Sequence, residues 1–191
     1  YEMLNRDWSS DVCSSDLNDN QTICCRWNYV KHGIQSQRYH NWWYSKCNQK
    51  ASDGDTVNLG ESKSYNINTD TIIITKSITL KGENVNITSG SSNCRIQIRG
   101  DGIKINGITF INAKPLPSYM GIIEGQAIQV SGSRNIVIDN CRFINFESGV
   151  YLSSTSDSTI RNSYFTDTTT HVITSEIGTR RLILWVPITS R

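Results

Sequence analysis

The sequence lacks the features that would place it in a membrane or on a nucleic acid. Its longest apolar stretch, around Leu182 to Ile188, is far shorter than the roughly 20 residues of a membrane-spanning helix. Its 19 Lys and Arg nearly balance 17 Asp and Glu, for a net charge of +2. Binding of a phosphate backbone needs clustered basic residues. We therefore expect neither membrane insertion nor a nucleic-acid partner.

The cysteines and histidines lack the spacing of a metal site. Of the six cysteines, no two form a C-x-x-C pair. The three histidines, His32, His40 and His171, do not stand at zinc-ligand spacing from them. We therefore predict independent, mostly reduced thiols, no metal site and no cofactor.

Proline is scarce, with three residues in the chain, while Ser, Thr, Asn, Ile and Gly are abundant. Ile, Val and Thr favour strands, because branched side chains pack well on a pleated surface, and Asn and Gly favour the turns between strands. The composition predicts an all-β fold.

Both ends depart from the pattern of the middle. Residues 6–17, RDWSSDVCSSDL, resemble the conceptual translation of a sequencing adapter, with a polar disordered tail as the alternative. Residues 18–50 are rich in aromatic residues and cysteines, and they show neither the period of 2 of a strand nor the period of 3.6 of a helix. This segment is either a frameshifted translation or a basic, aromatic binding surface. We predict an artefact or disordered segment at 1–50, a folded domain at 51–175 and a non-matching tail at 176–191.

The middle of the chain repeats itself. IKINGITFIN from Ile103, IVIDNCRFIN from Ile136 and STIRNSYFTD from Ser158 align in register, and apolar residues alternate within each segment. One step of the repeat is longer because of an insert near 114–125. Otherwise the period is roughly 22–25 residues, which suits one coil of a parallel β-helix, built from three short strands and three turns.

A second series of short apolar segments follows the same repeat. Its members begin at Ile72, Ile96, Ile128 and Val150. The next step of the series predicts an equivalent position at Val172, where the pattern ends.

The aligned columns predict which side chains point inward. Phe110, Phe143 and Phe165 share one column, and Cys141 shares another with Ile108 and Ser163, where it should act as a small buried hydrophobe. Two polar columns follow the strands. The first should hold left-handed bends and consists of Gly82, Gly107, Asn140 and Asn162. The second should form hydrogen bonds at a turn, with a calcium ladder as the rejected alternative, and consists of Asn112, Asn145 and Asp167.

Two further runs carry a resemblance to a known family. ASDGDTVNL from Ala51 and IIITKSITLKG from Ile72 resemble the first coils of pectin-lyase-like β-helices, and GITFIN and NCRFIN match their repeat consensus. The array is similar to that of the large adhesin-like surface proteins of methanogenic archaea. The resemblance implies a right-handed parallel β-helix of about four to five rungs. It also implies an extracellular or cell-surface location, with the export signal outside this chain.

Enzymes occur on this fold, so the fold alone does not decide the function. The resemblance implies that a polysaccharide-degrading member of this family would carry acid–base motifs such as an adjacent Asp-Asp pair, G-H-G or R-I-K. The chain has none of these three motifs. The best remaining cluster of chemical groups is expected near one turn of adjacent rungs and consists of Asp139, Arg142, Arg161 and Tyr164. Within it Asp139 and Arg161 should form a cross-rung ion pair, with catalysis or sugar contact as alternatives. We therefore expect a non-catalytic module, and the alternative is a fragment of a pectate-lyase-like or glycoside-hydrolase-like enzyme.

The expected partner is a cell-surface or environmental polysaccharide, or a protein. Gln97, Gln129 and Tyr151 should form one outward column, and Arg142 with Tyr164 another. Amides and aromatic rings on a flat sheet suit sugars, which offer hydroxyls and C–H faces. Together with Asp139 and Arg161, these are the predicted contact residues.

Overall fold

A computed structural model describes residues 12–13, 22–24, 50–61, 64–68, 71–89, 96–113, 125–166, 171–175 and 178–185. Most of this described chain is strand. Apart from one antiparallel pair, β1 with β2, the strands of these ranges pair in parallel. Of the adapter-like stretch, only two residues fall inside the described ranges.

The strands form two sheets, which wrap the chain into stacked coils. The 11-stranded sheet comprises β1 (Val12–Cys13), β2 (Thr22–Cys24), β3 (Thr56–Glu61), β4 (Ser64–Asn68), β6 (Thr79–Ser89), β8 (Lys104–Asn112), β10 (Val137–Asp139), β11 (Arg142–Ile144), β13 (Ser156–Arg161), β14 (Tyr164–Thr166) and β16 (Arg180–Trp185). The five-stranded sheet comprises β5 (Ile72–Ile74), β7 (Ile96–Ile98), β9 (Gln126–Ser131), β12 (Ser148–Ser153) and β15 (His171–Ser175).

Each coil presents three lateral faces. The first face contains β3, β10, β13, β16 and the leading halves of β6 and β8. The second face contains β4, β11, β14 and the trailing halves of β6 and β8. The third face is the five-stranded sheet. This arrangement confirms the predicted parallel β-helix of about four to five rungs.

The core runs along the inside of the coils. Phe110, Phe143 and Phe165 stack as predicted, with ring centroids 5.2 and 4.6 Å apart and interplanar angles of 10° and 12°. Every predicted inward residue is buried, and Phe165, at 8% exposure, is the most exposed of them. Alternate residues face inward on each strand because the side-chain period of a strand is two. Cys141 lies in the column of Ile108 and Ser163, as expected.

Left-handed residues mark the bends between the first and second faces. Gly107, Asn140 and Asn162 have φ of 72°, 52° and 50°, which confirms three of the four predicted positions. The fourth was wrong: Asn84, with φ of 53°, takes the bend in place of Gly82. The pairing of β6 with β8 shifts between Lys81 and Val85, so that residues 82–84 of β6 stand opposite the single Gly107.

A short hydrogen-bond motif recurs where the chain bends. A hydroxyl or thiol donates to the carbonyl oxygen two residues earlier, across one residue with positive φ. The same Ser158 and Ser163 oxygens accept backbone N–H bonds from Ile136 and Cys141 of the preceding coil, at 3.1 and 3.2 Å. The motif thus satisfies backbone groups that a bend would otherwise leave buried and unpaired. Its donors are Ser133 (3.3 Å), Cys141 (3.3 Å), Thr155 (3.2 Å), Ser158 (3.0 Å) and Ser163 (2.9 Å).

The pairing of strands extends past both predicted boundaries of the 51–175 domain. β2 pairs with β3 on one side, and β16 pairs with β13 on the other. The C-terminal strand follows the repeat, because Leu182 and Leu184 align with the inward residues Ser158 and Ile160 of the preceding coil.

The last step of the second series is longer than predicted. In β15, Ile173 and not Val172 aligns with Val150. The predicted equivalence of Val172 was therefore wrong by a single position, and the repeat continues where it was expected to end.

We predict that Phe143→Ala lowers the free energy of unfolding by about 3–5 kcal/mol, because a fully buried ring leaves a cavity between two other rings. Tyr164→Ala, a loss of similar size at a side chain 46% exposed, should change it by about 0.5 kcal/mol or less. Urea unfolding followed by circular dichroism measures both. Equal losses in the two variants would contradict the buried stack.

Substitutions at two glycines allow the cost of backbone strain to be distinguished from the cost of a steric clash. Gly107 and Gly132 both have positive φ, at 72° and 65°. A Cβ at Gly107 would lie 2.2 Å from the carbonyl oxygen of Gly82, whereas a Cβ at Gly132 would meet nothing within 4 Å. We predict a cost of about 1–2 kcal/mol for Gly132→Ala and a further cost of about 1–3 kcal/mol for Gly107→Ala. Thermal unfolding of the two variants checks the order, and a larger loss for Gly132→Ala would refute it.

Candidate functional site

The third face carries a continuous outward column of side chains. Register aligns Ile73, Gln97, Gln129 and Tyr151, one from each of four successive strands of the five-stranded sheet. The Gln97 amide Nε2 donates to Oε1 of Gln129 over 3.0 Å. The two amides are therefore held in a defined orientation on the surface. The predicted alignment of Gln97, Gln129 and Tyr151 is present, and their role as contacts remains a prediction.

The second face carries the other predicted column. Arg142 aligns with Tyr164 on the next coil, and both side chains are exposed. Tyr164 is among the few large hydrophobic side chains of the described chain that solvent reaches. The seven predicted contact residues therefore occupy three separate faces: Arg142 and Tyr164 lie on the second, Gln97, Gln129 and Tyr151 on the third, and Asp139 and Arg161 on the first.

The first face holds the predicted ion pair. Arg161 contacts Oδ2 of Asp139 through Nη2 at 2.8 Å and Nε at 2.9 Å, and the Asn162 amide donates to Oδ1 at 2.9 Å. Both carboxylate oxygens are thereby engaged. Partial burial by itself raises the pKa of Asp139, but the hydrogen bonds from Arg161 and Asn162 and the charge of Arg161 outweigh it and lower the pKa below its ordinary value.

Cys141 lies in the core, two positions after Asp139. Its thiol is buried and donates to the backbone carbonyl of Asp139. Burial raises the pKa of the Cys141 thiol to about 12, so it stays protonated at neutral pH. A protonated, enclosed thiol is a poor nucleophile, which confirms its structural part in the core.

Two of the three members of the second polar column, Asn112 and Asn145, lie in the described residues. Ser89 Oγ donates to Oδ1 of the buried Asn112 over 3.4 Å, and Asn145 has a left-handed φ of 61°. The predicted third member, Asp167, lies outside the described residues. Within those ranges, no group of three or more His, Cys, Asp or Glu could hold a metal ion.

The sequence matches the model of a known family. The family model described as a right handed beta helix region matches residues 17–183. The chain belongs to the right-handed β-helix family. Comparisons with curated proteins and with solved structures gave no match. Membership of the right-handed β-helix family establishes the fold and the repeat, and it leaves the activity open.

Sequence reasoning missed two polar partners that this right-handed β-helix adds. Arg99 donates a hydrogen bond through Nη2 to Oε1 of Gln97 at 2.8 Å. The side-chain amide of Asn162 donates a hydrogen bond to Oδ1 of Asp139. The spacing of Arg99, two positions beyond Gln97, could have indicated the first contact. Asn162 was interpreted as a bend residue only.

No helix in the described part of the chain is long and apolar enough to cross a membrane.

We predict that Asp139→Asn lowers the free energy of unfolding by about 0.5–1 kcal/mol at neutral pH, since Arg161 is half exposed and solvent screens the pair. Because the folded pKa of Asp139 is lowered, its stabilisation is present above the unfolded carboxyl pKa and is lost as pH falls through the folded pKa. The difference between wild type and variant should therefore disappear in acid. Urea unfolding across this pH range measures it.

Asp157→Asn is the matched control. Its carboxylate lies 3.4 Å from Arg181, and both side chains are more exposed than those of the first pair. At neutral pH the effect should be smaller than that of Asp139→Asn. Identical pH profiles for the two variants would refute the assignment to Asp139.

Proposed function

We propose that this right-handed β-helix is a non-catalytic extracellular or cell-surface module, adhesin-like, whose third face binds a polysaccharide. The observation that carries the proposal is the in-register column of Gln97, Gln129 and Tyr151 on the five-stranded sheet. Adjacent strands stand about 4.8 Å apart, so the column offers polar groups at regular intervals along the axis of the coils.

The chemistry of this column suits a sugar chain. Gln97 uses its amide donor on Gln129 and its oxygen on Arg99, so the amides are preoriented before a ligand arrives. Preorganisation lowers the entropic cost of binding. Tyr151 adds an aromatic ring, which can pack on the C–H face of a sugar ring. The glycan is expected to run along the column and cross several coils.

The second face supports a further weak contact. Tyr164 and Arg142 stand side by side on adjacent coils and both reach solvent. Each face presents only a few groups, so a single site binds weakly. Repetition along a longer array or among many copies on a surface would raise the overall affinity. This need for repetition agrees with the resemblance to adhesin-like surface proteins.

The rival function is that of a polysaccharide-active enzyme, for which Asp139 and Arg161 are the candidate residues. Two observations weigh against catalysis there. Both oxygens of Asp139 are engaged by Arg161 and Asn162, and its lowered pKa keeps it ionised, which removes it as a general acid. The nearby Cys141 is protonated and enclosed.

We predict that Tyr151→Ala weakens binding to a glycan found on an array by about three- to tenfold, because the stacking surface is lost. Thr159→Ala, on the first face, is the matched control and should bind as the wild type does. Isothermal titration with the array-selected oligosaccharide measures both. Unchanged affinity in Tyr151→Ala would rule out the third face as the binding surface.

The enzyme hypothesis has its own assay. Release of reducing ends or unsaturated products from polygalacturonate and alginate is measured with wild type and Asp139→Asn. We expect no turnover above the background of a heat-denatured sample. Turnover that Asp139→Asn abolishes would replace the proposed function by the enzymatic one.

A further inference from the structure

A groove of about 360 Å³ lies at the corner where the third face turns into the first, near the last described coil. Positive φ values shape this corner in three successive coils, at paired positions. The lining combines three guanidinium groups, two serine hydroxyls and one carboxylate. It consists of Arg134, Ser154, Ser156, Asp157, Gly178, Arg180 and Arg181.

Two of the arginines stack in one column. Ser156 pairs with Arg134 on the coil before it and with Arg180 on the coil after it. The two arginines are therefore separated by two coil spacings, on the order of 10 Å between their backbones. Both are exposed, and their long side chains can converge on a group seated above Ser156.

In the described part of the chain, the carboxylates near the groove, Asp101 and Asp157, do not pair with these two guanidinium groups. Asp157 contacts Arg181, and Asp101 accepts the backbone N–H of Arg134 and not its side chain. Among the described residues, neither the Arg134 nor the Arg180 guanidinium forms an ion pair. Two exposed cations on either side of a hydroxyl form an arrangement that recognises an oxyanion, through charge-assisted hydrogen bonds.

We propose that this corner is an oxyanion-binding site for a sulfate or carboxylate group, held between Arg134 and Arg180 over the Ser156 hydroxyl. The site is separate from the third-face column, and it needs neither Gln129 nor Tyr151. It therefore stands or falls independently of the proposed polysaccharide binding.

The first test uses inorganic sulfate and the full chain, followed by amide NMR shifts. We expect saturable shifts confined to Arg134 and to residues 154–157 and 178–181, which disappear in the double variant Arg134→Gln/Arg180→Gln. The charge-matched control Lys81→Gln/Lys104→Gln, on the first face, should keep them. Shifts that do not saturate, or that the control variant loses equally, would overturn the site. Thermal unfolding of each variant shows whether it remains folded.

A second experiment identifies the chemical source of the oxyanion. Dextran sulfate carries sulfate, polygalacturonate carries carboxylate, and neutral dextran carries neither. We expect at least one polyanion to bind, with affinity about tenfold lower in the arginine double variant than in the lysine double variant. Equal affinity in the two variants would mean unspecific attraction and would refute the proposal. Tyr151→Ala should leave this binding intact, which separates the outcome from that of the third face.

Discussion

Each coil meets the next through parallel backbone hydrogen bonds, and those bonds form only if the chain returns to the same lateral position once per coil. Thr79, Lys104, Val137, Thr159 and Ile183 occupy one such position on the first face. The return requires sharp bends, and the bends expose backbone groups inside the molecule. Left-handed residues make the bends, and the hydroxyls and thiol beside them satisfy the carbonyls. The stack of phenylalanine rings follows from the register that these corners impose.

The same register governs the outer surface. A side chain on one strand faces its counterpart on the next coil at about 4.8 Å, which is within reach of a direct contact. The pairs Gln97 with Gln129 and Asp139 with Arg161 are consequences of this spacing, although the partners in each pair are far apart in the sequence. A surface built in this way is rigid and periodic, and it suits ligands that are themselves extended and periodic. The corner groove differs because residues from three coils converge there on one point.

Much of the candidate site could be predicted, because period-two alternation and a fixed coil length fix both the face and the neighbour of a side chain. The ion pair of Asp139 with Arg161 and the column of Gln97, Gln129 and Tyr151 were predicted in this way. Asn162 as a partner of Asp139 was missed, since the direction of a side chain at a left-handed bend does not follow the alternation of a strand. The groove around Arg180 was missed because the C-terminal strand was left outside the repeat.

By itself, the sequence determined the all-β class, the inward columns and the length of a coil, since burial of apolar side chains at alternate positions is a local, periodic signal. The tertiary structure alone decided where β6 shifts its register, so that Asn84 and not Gly82 takes the bend. It also decided that Arg180–Trp185 continues the first face. Both depend on hydrogen bonds with another coil, and a strand without a clear pattern of its own takes its position from the neighbour with which it pairs.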